Sequence, residues 1–200
     1  MSKGEFAVIG TGEVPCGHYP DRTEFEIAYS VSRMAIRDAG IDKSKIGAVL
    51  GAAHIMGGEY NTEVVFGRLP EAIGLRNCQV TGQTVSGGAS SHSIRRTAEG
   101  ILRAGEAEYV LIVHSQRFSQ FPMNEQAQYF AVAGSDLEFE VPYGMTYNAL
   151  AAMVTQGYMS QTGTTVEQVA SVVVACNRWA RLQENAMFRD KELTLERVLG

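Results

Sequence analysis

The sequence predicts an α/β fold, layered α/β/α, with a mixed but mainly parallel sheet covered by helices on both faces. Two observations carry this prediction. Short apolar runs alternate along the chain with segments whose apolar residues recur at helical spacing, the pattern of βαβ crossovers. Several of these runs and segments close on glycine, as at Gly10, Gly40 and Gly105, which ends strands in turns and helices in left-handed caps. No repeat, low-complexity stretch or linker divides the 200 residues, a length suited to one large domain or two small ones.

Taken in order, residues 6–9 (FAVI) read as a buried strand closed by Gly10-Thr11-Gly12. Thr23-Glu24-Phe25-Glu26 matches a capping box, with Thr23 as N-cap and Glu26 reaching back to its amide. Ile27, Val31, Met34 and Ala35 then repeat at helical spacing until Gly40. Residues 46–53 (IGAVLGAA) are the next buried strand, 61–73 a helix broken at Pro70, and 78–82 another strand. Residues 82–91 (GQTVSGGASS) form a turn into a helix that places Ile94, Ala98, Ile101 and Leu102 on one face and stops at Gly105. Residues 109–113 (YVLIV) give the clearest strand. From 114 to 144 the periodicity dissolves into a long stretch containing Phe, Gln and Met, a length of loop that is usually functional. Helical spacing returns over 146–161, and 166–175 continues as a helix or, at residues 172–174, a strand. Residues 177–200 are polar and Arg-rich.

Composition narrows the function. Seventeen Lys+Arg against 22 Asp+Glu give a net charge of −5, without the overall positive field that attracts phosphate backbones, so nucleic acid is not the expected partner. No apolar run approaches the roughly 20 residues that span a bilayer. Cys16, Cys78 and Cys176 are dispersed, which fits a reducing, cytoplasmic setting and provides neither a disulfide framework nor a metal site.

Several segments can carry chemistry. Gly10-x-Gly12 lacks the third glycine and the immediate helix of a dinucleotide site, so a strand-ending turn is expected. In Gly87-Gly88-Ala89-Ser90-Ser91-His92, small residues let the backbone turn sharply and leave amides at a helix N-terminus, suited to an oxyanion or a thioester enolate. A tight turn where helix packs on sheet is the alternative. His92 falls in the first helical turn, where a neutral, hydrogen-bonded packing role is expected. His18, His54 and His114 lack metal-ligand spacing, and the serines at 86, 90, 91 and 93 lack a G-x-S-x-G elbow. Arg178, Arg181, Arg189 and Lys191 form a basic cluster that is either solvated or in contact with ligand phosphates.

FAVIGTGEVP, the 23–40 helix ending in IRDAG, and SGGASSHSIRRTAEGILRAGEAEYVLIV together resemble the N-terminal half of the thiolase superfamily, in its sterol-carrier-protein (lipid-transfer) branch. VPYGMTYNALAAMVTQGYMSQTGTTVEQVASVVV and NAMFRDKELTLERVL are similar to that branch's continuation. The resemblance implies a thiolase-like core over 1–115, a loop-domain segment over 116–145, and helices with the start of a second loop region over 146–200. Thiolases place a nucleophilic cysteine at the start of the helix after the third strand. Registering that pattern on Leu102-Arg103-Ala104-Gly105 puts Gly88 there, and a register shifted by four puts Thr84 there. None of the three cysteines sits at that turn.

The resemblance therefore implies chemistry without an acyl-enzyme. Cysteine-less members resemble retro-aldolases that cleave β-hydroxyacyl-CoA esters, with Gly87, Gly88, Ser90 and Ser91 as the enolate-stabilising turn and a coenzyme A thioester as substrate, with no covalently bound cofactor. Tyr143, Gly144 and Met145 align with a turn near the substrate. Phe118, with Phe121, Met123, Tyr129 and Phe130, either lines an acyl pocket or packs the loop. Two further readings stay open: a silent acyl-CoA- or lipid-binding subunit, or an acyltransferase using a partner's cysteine. Expected partners are a second copy through the thiolase core, a chain supplying the C-terminal half, and a zinc-ribbon/OB-fold acyl-CoA-binding protein. The helix after the glycine turn would lie between two sheets, so one half alone is expected to leave an apolar face of it bare and to require a partner.

Overall fold

A computed structural model describes residues 6–52, 62–84, 86–117, 121–132 and 134–200, and it divides into two compact units. The first comprises Met1–Val14 and Tyr19–Gln120; the second comprises Pro15–His18 and Phe121–Gly200.

In the first unit, Thr23 caps α1 (Glu24–Ala39) through the full capping box: its hydroxyl accepts from the Glu26 amide, and the Glu26 carboxylate accepts from the Thr23 amide at 2.8 Å. Gly40 ends the helix in the left-handed conformation at φ 64°. Strands β1 (Ile46–Ala52), β2 (Val80–Thr84) and β3 (Tyr109–Val113) form a parallel sheet in the order β2-β1-β3. The described sheet holds no antiparallel strand. The register slips by one residue at Gly47, between Ile46 and Ala48 against β3. That bulge lets Ile46 and Val49 join the same core cluster despite their odd spacing.

Both faces of the sheet are covered. On one, α1 and α2 (Thr62–Ile73) pack Ala28, Leu69 and Ile73 against Val49, Leu111 and Val113. On the other, α3 (Ser90–Ala104) packs Ile94 and Ala98 against Leu50 and Ala52. These are the α/β/α layers expected of alternating strands and helices.

Several local expectations are corrected. Residues 6–9 are exposed and form no strand, because an apolar tetrapeptide becomes a strand only where a neighbour offers ladder bonds. The following glycines explain themselves differently: a Cβ at Gly10 would strike the Ala35 carbonyl and Ala39, and one at Gly12 the Val31 carbonyl and Ala35. The Gly-Thr-Gly backbone lies directly on α1, where the Thr11 amide also donates to Asp38 Oδ2 at 2.9 Å. Pro70 does not break α2. It sits in the last turn before Gly74 (φ 78°), where it costs the helix the one ladder bond its own amide would make, and the chain stays helical to Ile73. β2 runs two residues beyond the expected end at Gly82. The outward face of α3 is not apolar but carries exposed Ser91, His92, Arg95 and Arg96, so α3 leaves no bare hydrophobic stripe, and the packing role expected of His92 is not seen.

The second unit is helical among its described residues. The stretch read as a loop contains α4 (Met123–Val132) and a 3-10 turn at Val141–Tyr143. Thr146 caps α5 (Tyr147–Thr162), and Thr165 with Gln168 forms a capping box on α6 (Val166–Ala180). Residues 172–174 are helical throughout, the strand alternative losing to a continuous capped helix. A short α7 (Leu195–Leu199) follows. No helix among the described residues is long and apolar enough to cross a membrane.

Candidate functional site

Ser90 and Ala89 hold the glycine turn by hydrogen bonds. Ser90 is buried, and its hydroxyl accepts from the Ser86 amide at 2.9 Å and donates to the Gly87 carbonyl at 2.8 Å. The Ala89 amide donates to the Ser86 carbonyl at 3.0 Å, closing a 3-10 turn over Gly87–Ala89 that runs directly into α3. The Ser90 side chain is thus spent on holding the turn. The Gly87 and Gly88 amides lie ahead of the bonded ladder, at the positive end of α3, where no side chain caps the helix.

The two glycines are there for different reasons. Gly87 has φ 52°, a left-handed conformation that L side chains rarely adopt. Gly88 has no positive φ, and a Cβ built on it would meet nothing within 4 Å. Among the described residues, neither backbone geometry nor packing demands a glycine at 88. Ser91 is exposed on the first turn of α3 beside it.

The turn lies at the carboxyl end of the parallel strands, the edge where open α/β sheets bind ligands. Ala52 pairs with Thr84, and Gly51 with Val113, so the three strands finish nearly level. Beyond β3, the Ser115 hydroxyl donates to the Glu24 carbonyl at 3.1 Å, tying this edge to α1. Gln116 follows, and its side-chain Nε2 is buried with no hydrogen-bond partner among the described residues. Sequence reading passed over Gln116, because an unsatisfied amide leaves no mark in residue pattern. Burial pushes the Cys78 thiol above its usual range, which keeps it protonated and unreactive.

The remaining candidates belong to the second unit. Val141–Tyr143 and Gly144 (φ 89°) make a turn, the Met145 amide returns to the Glu140 carbonyl at 3.2 Å, and Thr146 opens α5. Tyr143 projects into solvent and Met145 is half-buried. Phe118 lies outside the described residues. Met123 is exposed, while the Phe130 ring packs 6.1 Å from that of Tyr147. Arg181 pairs with Glu192 at 3.0 Å, and Lys191 lies over the Phe188 ring. The structure therefore brings Gly87, Gly88, Ser90 and Ser91 together in one unit and Tyr143, Gly144 and Met145 in the other.

The chain has counterparts among known proteins in sequence and fold. No family model matches the chain. It is 25% identical over 196 residues to an acetyl-CoA acetyltransferase of Methanocaldococcus jannaschii, covering 98% of this chain and 49% of that protein. It is also 25% identical over 205 residues to the 17-hydroxy-3-oxo-4-pregnene-20-carboxyl-CoA lyase of Mycobacterium tuberculosis, covering 98% of this chain and 50% of that one. The solved Ltp2-ChsH2(DUF35) aldolase superposes with a TM-score of 0.75 at 23% identity, over 95% of this chain and 47% of its own. The chain has a thiolase-like fold. It spans about half the length of the curated relatives it matches.

Proposed function

We propose that this chain supplies the N-terminal half of a thiolase-like enzyme that cleaves a carbon–carbon bond beside a coenzyme A thioester by a retro-aldol reaction. The observation that carries this reading is Gly88. It occupies the position where the thiolase resemblance expects a nucleophilic sulfur, yet its backbone would accept a side chain. Similarity to a protein named as a lyase fits C–C cleavage; the chain is equally similar to an acetyl-CoA acetyltransferase, and it is the glycine at 88 that favours cleavage over acyl transfer.

In this mechanism a base removes the proton of the substrate's β-hydroxyl. The Cα–Cβ bond breaks as the β-carbon becomes a carbonyl, and its electron pair passes to the thioester as an enolate. The Gly87 and Gly88 amides donate to the enolate oxygen, aided by the positive end of α3, and protonation at Cα releases the shortened acyl-CoA. Absence of a side chain at 88 leaves room for the substrate's own carbon. Ser90 positions the amides, and Tyr143, Gly144, Met145 and Phe118 are proposed to contact the acyl-CoA. The reading places the base in the part of the enzyme beyond this chain, and retains a core over 1–115, a loop segment over 116–145 and helices over 146–200. It also includes a cytoplasmic setting, a second copy docked through the core, and a zinc-ribbon/OB-fold acyl-CoA-binding partner.

The test is to incubate the complete assembly with β-hydroxyacyl-CoA esters of graded size and follow both products. Release of a ketone or aldehyde with a stoichiometric shortened acyl-CoA is expected. Tight binding of the esters without release of either product would refute it.

A further inference from the structure

The outward face of α3 carries a histidine that the fold does not use. Helical spacing puts Gly88, His92, Arg95 and Glu99 on one face, turned away from Ile94, Ala98 and Ile101, which pack against the sheet. His92 is exposed, and among the described residues it makes no hydrogen bond or ion pair. Nor does it cap the helix, because the Ala89 amide it could accept from already donates to the Ser86 carbonyl at 3.0 Å. Histidine is an ordinary helix former, and any positive charge in the first turn opposes the helix dipole, so the helix itself gains nothing from this residue. Helical side chains lean toward the N-terminus, and each covers the turn before its own Cα. For His92 that turn is Gly87–Ala89. The position it leans over, Gly88, is the one where a Cβ would meet nothing within 4 Å. The imidazole thus borders the open space at Gly88, beside the two amides of the proposed enolate site.

We propose that His92 is a catalytic hydrogen-bond donor, giving its imidazole N–H to the enolate oxygen alongside the Gly87 and Gly88 amides. The proposal rests on the retro-aldol reading above and adds a side chain of this chain to it. The role needs no charge on the ring, since an uncharged imidazole has one N–H to donate. As the electron pair of the Cα–Cβ bond passes to the thioester, its oxygen changes from a weakly accepting carbonyl to an anion. A bond from His92 therefore strengthens in the transition state and lowers the barrier, where a bond equally strong in the ground state would not. No proton leaves the imidazole in this step: the base holds the β-hydroxyl proton, and protonation at Cα is unchanged. Arg95 continues the same face, exposed and without an ion pair among the described residues, and keeps the field there positive.

The assembled enzyme tests this as His92→Leu and His92→Gln, both at an exposed position where circular dichroism is expected to be unchanged. In His92→Leu, kcat for ester cleavage is expected to fall about 100-fold with KM within about twofold of wild type, as when one oxyanion donor is removed. His92→Gln, whose side-chain amide can donate in place of the imidazole N–H, is expected to recover about tenfold of that loss. A second readout needs no cleavage: exchange of the Cα proton of the shortened acyl-CoA for deuterium in heavy water is expected to slow in the same order. Wild-type kcat in His92→Leu, a loss that appears in KM alone, or a Gln variant no better than Leu overturns the proposal. Exchange that depends on His92 in an assembly that cleaves no ester refutes the retro-aldol reading and leaves the donor in place. Cleavage that is indifferent to His92 does the reverse, and an assembly that neither cleaves nor exchanges refutes both.

Discussion

The Ser90 hydroxyl stands between the two halves of the glycine turn, accepting from the Ser86 amide at 2.9 Å while donating to the Gly87 carbonyl at 2.8 Å. The side chain most naturally suspected of chemistry at this turn is therefore its structural pin, and in the proposed mechanism the donors offered to a ligand are backbone amides. Those amides are fixed in direction by the pin and by α3, so they need no reorganisation as negative charge develops.

Ser90→Ala removes both bonds at a buried position. A loss of about 1–3 kcal/mol is expected, the cost of leaving polar groups unpaired. It should appear as a lower urea midpoint at unchanged slope, accompanied by reduced turnover at nearly unchanged substrate affinity. Unchanged stability would remove Ser90 from its place as the pin.

Gly87 and Gly88 should separate cleanly. Alanine at 87 must adopt φ near 52°, at a cost of about 1–2 kcal/mol. Alanine at 88 enters open space at an ordinary φ and should be neutral or stabilising by up to about 1 kcal/mol. Thermal unfolding reads the first effect. In the assembled enzyme, Gly88→Ala should nonetheless depress turnover, most for esters bulky at the β-carbon.

Gly12→Ala drives a methyl group into the α1 backbone at Val31 and Ala35. The expected outcome is a loss of about 1–3 kcal/mol, with the N-terminal segment released from α1 and cut early in limited proteolysis. A protease pattern matching wild type would show that the segment does not depend on this close approach.

The capping box predicts a pH signature. The Glu26 carboxyl is held below its ordinary range, first by the Thr23 amide and then by the Thr23 hydroxyl. Because the folded pKa is the lower one, its stabilisation is present above the unfolded carboxylate pKa and is lost as pH falls through the depressed folded value. Glu26→Gln keeps the geometry of the box and should flatten that acid-side loss in denaturation midpoints measured between neutral pH and pH 3.

What could be read from the sequence was what local rules govern. The capping box at Thr23 and Glu26, the glycine stops at 40 and 105, and the strand Tyr109–Val113 depend on neighbours a few residues apart or on a run of β-formers. The exposed segment 6–9 was beyond reach, because a strand exists only if a distant partner offers its edge. So was α4, whose sequence MNEQAQYFAV carries no strong apolar stripe. At the site, the existence of a glycine turn running into α3 was legible from composition and resemblance. The different reasons for Gly87 and Gly88 were not, since φ and free space around a Cβ are properties of the folded chain. The bonds from Asn177 to Lys191 and Leu193 were equally hidden, as they join residues 14 and 16 positions apart through one ordinary-looking amide.

The most direct measurement is carbon–carbon cleavage by the assembled enzyme after this chain's thiols are removed as Cys16→Ser, Cys78→Ala and Cys176→Ser. Cys16 and Cys176 are exposed and Cys78 is partly buried, its thiol kept protonated. Release of carbonyl product at the wild-type rate is predicted, because in the proposed mechanism the glycine turn rather than a sulfur carries the chemistry. Loss of cleavage in a variant that still folds and still binds the ester would contradict the account.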